Sequence, residues 1–201
     1  MIKKLVITTA SLFVIEIIVY LYAAQITDIL DMRFQLSARY SARISFLMFT
    51  GLALWIGIEG MKEISRYQNS RKLLSLWVAA IGINHLIHFY FLVMNHHLKD
   101  IALVVPNSAG GIIVYLILLV MPVVLHNLSE WSFLTKNGVL LALAIVGAVF
   151  MLANLKRLFQ KTELASSPYY YIGALIIIAG LLILNIYRLI EDNKKRSIVR
   201  K

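Results

Sequence analysis

Six long apolar runs, separated by short polar stretches, constrain this chain more than any other feature of its sequence. They fall at about 5–24, 44–61, 73–94, 109–127, 138–155 and 169–190. Each is close to the roughly 20 residues a helix needs to cross about 30 Å of hydrocarbon. The runs lack period-two alternation, and lipid offers no solvent to an open sheet edge. The expected fold is an all-α integral membrane protein, a six-helix transmembrane bundle forming a single transmembrane domain over 1–201. Composition agrees: 60% of the residues are hydrophobic and only 15% charged, where soluble domains have roughly half and a quarter.

The formal net charge of +10 comes from cations at the ends of the apolar runs, not from one polar face. Such cations match anionic headgroups and insertion rules, so the expected partner is the lipid bilayer and no nucleic acid is expected. Thirteen of the 20 Lys and Arg residues fall on the side that holds the N-terminus and seven on the other. Both termini are therefore expected in the cytoplasm, beneath a plasma (inner) membrane, with 191–201 as a basic cytoplasmic tail. Met1-Ile2-Lys3-Lys4 resembles the start of a signal peptide. The run that follows carries Glu16 and no clean small-x-small site, so it reads as a retained helix. The stretch 25–43 reads as the longest outer connection, with a short interfacial helix around Ile29, Leu30 and Phe34. Trp55, Trp77, Trp131 and Tyr169-Tyr170-Tyr171 read as interfacial belt residues. Pro122 should bend the fourth span, with Asn and Ser nearby to satisfy the freed carbonyl.

The sequence has no cysteine, which excludes disulfides, thiolate metal sites and cysteine nucleophiles. It has no Gly-rich phosphate loop, HExxH or Gly-x-Ser-x-Gly pattern, so hydrolase and NTPase readings have no support. Ionisable groups within hydrocarbon are costly and mark candidate sites. Glu59 lies within a turn of the boundary, where it can reach water or Lys62. Glu16 and His85 fall near one depth, just beyond the middle of the first and third spans, and are read as an intramembrane polar pair. That pairing serves equally to hold a bundle together or to carry a function. His85 and His88 stand at i, i+3 on one helix face, with Asn84 beside them and Gly82 permitting close approach of another helix. A metal would need further ligands. His96 and His97 lie at the outer mouth and His126 at the opposite end, so a mid-membrane zinc site is not expected.

The third span begins Arg71-Lys72-Leu73-Leu74-Ser75-Leu76, continues through Ala79-Ala80 and reaches His85. This stretch resembles the ferric-reductase-like transmembrane family, as do Phe49-Thr50-Gly51-Leu52-Ala53-Leu54 and the link Leu125-His126-Asn127 to Trp131. The likeness covers roughly residues 40–190. It implies a membrane-embedded electron-transfer subunit with b-type haem, His85 ligating the haem iron and His88 beside the cofactor. A redox partner protein or a quinol would supply the electrons. The chain departs from the family in the fifth span. Where the family places two further histidines, this sequence has Thr135 and then Ala148 and Val149. Imidazoles on both faces of one haem must come from facing helices, so His85 and His88 together do not replace them.

Three expectations follow: an electron-transfer subunit with haem on His85, a haem-free accessory or binding membrane protein of the same architecture, or a small-solute or proton-coupled transporter working through Glu16 and His85. Transporter sites lie near the midplane, but the sequence shows no inverted repeat.

Overall fold

Six helices follow one another along the chain: α1 (Ile2–Ile26), α2 (Leu30–Arg66), α3 (Gln68–Leu98), α4 (Val105–Asn127), α5 (Phe133–Phe159) and α6 (Pro168–Val199). This computed structural model describes residues 2–101, 105–128, 131–159 and 167–199. Lys161, Arg200 and Lys201 of the charge tally lie outside them, as do the side chains of Lys194, Lys195 and Arg196. Among the described residues there is no strand. All six helices are long and apolar enough to cross a membrane, and the protein is an all-α, six-span membrane protein.

Two boundaries differ from the sequence reading. The second helix begins at Leu30 and runs 37 residues, so most of the expected outer connection is helix. Arg33, Arg39 and Arg43 interrupt the apolar run there and lower its hydropathy, but none of them breaks a helix. The same segment carries small residues at i, i+4 spacing, Ser37, Ser41 and Ser45, all fully buried. Small side chains let neighbouring helix backbones come close in lipid. At the other end of the chain, α6 continues through Val199, beyond the span end expected at 190.

The contacts divide the chain into two compact units. The first holds α1, α2 up to Met48, α3 from Lys72 and α4 up to Leu125. Most of α1 faces outward, with Val6, Phe13, Ile17 and Leu21 all exposed, as a lipid-facing helix requires. Within this unit α3 and α4 touch at Gly82, where a Cβ would stand 2.9 Å from the carbonyl oxygen of Leu118. That carbonyl lies four residues before Pro122, whose missing N–H leaves it without the ordinary helical donor. Ser75 donates to the carbonyl of Pro122 itself at 2.9 Å. That bond falls one turn further along α4 than the freed carbonyl, which the expected Asn or Ser was to satisfy. Trp77, expected in a belt, donates its indole N–H to the Met48 carbonyl at 3.1 Å.

The second unit holds the remainder of α2, α5 and α6. Gly57 lets α6 approach, since a Cβ there would meet the Leu184 side chain at 2.6 Å. Asn185 donates to the Ala53 carbonyl at 3.0 Å. The helical path of α2 breaks at Gly60, with φ 79 and ψ 149, a conformation open to glycine and costly for side chains bearing a Cβ. Arg188 reaches the Glu59 carbonyl beside that break at 3.2 Å and pairs with Glu191 at 2.7 Å. Cations at freed helix carbonyls are favourable.

Candidate functional site

The first unit has a polar seam inside an apolar shell, and Glu16 is its centre. Glu16 is 2% exposed although it sits on the most lipid-exposed helix of its unit. The Ser41 hydroxyl donates to Glu16 Oε1 at 2.8 Å, and the Asn84 side chain lies beside the carboxyl. Asn84 itself donates to the Ser41 carbonyl at 3.1 Å and to Ser45 Oγ at 2.9 Å. Glu16 of α1, Ser41 and Ser45 of α2 and Asn84 of α3 thus meet in a small hydrogen-bonded knot. Glu16 follows Lys4, and Asn84 follows Lys72, by the same twelve residues, about 18 Å of helix rise. The knot therefore lies close to mid-depth in hydrocarbon about 30 Å thick.

The sequence reading set His85 opposite Glu16. The α3 residue that meets the carboxyl is its neighbour Asn84, together with Ser41 from the segment read as a loop. His88 is buried and its Nδ1 lies 2.7 Å from the Ala38 carbonyl. A carbonyl only accepts, so Nδ1 carries a proton and donates it. The His85 ring packs 4.7 Å from the ring of Tyr115 and 5.4 Å from that of His88. Tyr115 O–H donates to the His85 carbonyl at 3.0 Å. Sequence reasoning missed Ser41, Ser45 and Tyr115. The i, i+4 serine spacing was the available signal for the first two, and nothing in the sequence points to Tyr115.

Haem does not fit these residues as a bis-histidine cofactor. His85 and His88 stand on one face of one helix with rings 5.4 Å apart, so they cannot lie on opposite faces of a porphyrin. Among the described residues no group of three or more His, Cys, Asp or Glu side chains is placed to hold a metal ion.

A cavity of about 340 Å³ adjoins the knot, with Glu16 in its wall and Phe13, Tyr20, Phe34, Tyr90 and Phe91 around it. The rings form a connected cluster: Tyr20 lies 5.4 Å from Phe34 and 6.4 Å from Phe91, to which it is nearly parallel. Tyr90 meets Phe34 edge-on at 6.4 Å. Outside the cluster, the Arg33 guanidinium lies 5.7 Å from the Tyr20 ring centre. Phe13, Ile17 and Tyr90 are each more than half exposed, so the opening faces the lipid side. The second Glu16 oxygen, Oε2, is buried and has no hydrogen-bond partner. The second unit holds another cavity of about 260 Å³, whose polar lining residues are Asn137 and Asn185. It lacks a titratable group.

No protein-family model, curated protein or solved structure matches this chain.

Proposed function

We propose that this chain is a haem-free binding protein of the membrane, of ferric-reductase-like architecture, and that its site is the cavity beside Glu16. One observation carries the reading. A carboxyl group in the membrane interior has one oxygen fixed by Ser41 and the other without a partner, in the wall of an aromatic-lined cavity. A mostly apolar cavity with a single convergent polar group is the usual form of a small-molecule site. The protein acts in a plasma membrane with both termini in the cytoplasm, as the cation distribution supports.

The test is to purify the full chain in nanodiscs and examine it by absorbance and native mass spectrometry. A featureless visible spectrum, with a bound small molecule that is lost in Glu16→Leu, is expected. A Soret band that shifts on dithionite reduction and vanishes in His85→Ala would overturn this reading. It would favour a haem electron-transfer subunit served by a redox partner protein or a quinol, for which the sequence of α3 speaks. A proton-coupled flux in proteoliposomes, abolished by Glu16→Gln, would favour the transporter.

A further inference from the structure

We infer that the ligand of the Glu16 cavity is a lipophilic amine, held by its protonated nitrogen between the carboxyl and the aromatic wall. This rests on the preceding reading that the cavity is a binding site, and names what it takes.

The chemistry of the wall makes the choice. Glu16 is the acidic group lining the cavity, and no Lys, Arg or His lines it. An acidic ligand would place a second carboxylate or a phosphate beside Glu16 in a medium of low dielectric, where like charges repel strongly. A purely apolar ligand would make no use of Glu16. An ammonium group beside that side chain is drawn by its charge, and the attraction is strong where the dielectric is low. Tyr20, Phe34 and Phe91 line the same space, and aromatic rings attract cations, most of all where water is excluded. Arg33 lies against Tyr20 and does not line the cavity. Entry is from the hydrocarbon: the exposed rim of Phe13 and Ile17 suits an alkyl body that remains in contact with lipid.

Three probes with one chain length separate the alternatives: decylamine, decanol and decanoate, each titrated against the full chain in nanodiscs with binding measured directly by radiolabel. Saturable binding of decylamine is expected, weakened by about tenfold or more in Glu16→Gln, a loss on the order of one strong interaction. Phe13→Leu, which leaves Ser41 and Asn84 in place, should weaken decylamine and leave the fold unchanged by circular dichroism. Decylamine binding that is equal in wild type and both variants overturns the inference. Decanol or decanoate binding that depends on Glu16, without decylamine binding, overturns the amine and leaves the cavity as a site. If no probe binds in a Glu16-dependent way, and native mass spectrometry shows no co-purified molecule, the binding-protein reading fails with it.

Discussion

Ser41 and Glu16, 25 residues apart in the chain, are joined by a 2.8 Å hydrogen bond that ties α1 to α2 near mid-depth. The bond uses a serine from a stretch whose arginines give it the look of a loop, and a glutamate on a helix otherwise given over to lipid.

Ser41→Ala should destabilise the protein by about 1–2 kcal/mol, because the carboxyl loses its donor while remaining buried. Ser37→Ala is the matched control: Ser37 donates only to the Arg33 carbonyl of its own helix, so its loss should cost well under about 1 kcal/mol. Thermal unfolding in one detergent compares the two. Equal losses would show that the Ser41 bond has no special weight.

Gly82→Ala should cost about 1–3 kcal/mol, since the new methyl would press on the Leu118 carbonyl, a backbone atom that cannot swing aside. Gly138→Ala, where nothing stands within 4 Å, should be neutral or slightly stabilising through helix propensity. Unfolding midpoints measure both, and a neutral Gly82→Ala would mean that α3 and α4 are held apart more loosely than this contact requires.

Gly60→Ala should lower stability by about 1–2 kcal/mol through its positive φ. Gly60→Asn should cost at least as much, because ψ 149 lies outside the left-handed helical well that asparagine tolerates. Unchanged melting temperatures in both variants would contradict a broken helix at this position.

Topology has its own test. Alkaline phosphatase fused after Asp100 should be active, and fused after Lys201 inactive, with a fluorescent-protein reporter giving the opposite pattern. The reverse result would invert the chain in the membrane and leave its helices unchanged.

The six spans were legible because their signal is cumulative: about twenty apolar residues outweigh any single exception. The start of α2 was not, since hydropathy sums charge and apolarity without asking which helix face each occupies. Arg39 and Arg43 lie on the side of α2 away from the Ser37, Ser41 and Ser45 stripe at 3.6 residues per turn, so a window average conceals the buried face. The site was half legible. Glu16 stood out by its cost, and depth counting brought α3 to its level. A one-residue difference in rotation, about 100° around a helix, decides whether Asn84 or His85 meets it, and counting along a sequence does not resolve rotation.

The length of α2 has a mechanical meaning. The part of α2 before the break at Gly60 is about 45 Å long. The tilt that would sink such a rod wholly in a 30 Å slab far exceeds the roughly 20° common among membrane helices. Its ends must therefore stand clear of the acyl chains. Asp31 and Arg33 stand at one end, and Lys62, Glu63 and Arg66 follow the break at the other, where headgroups and water can reach them.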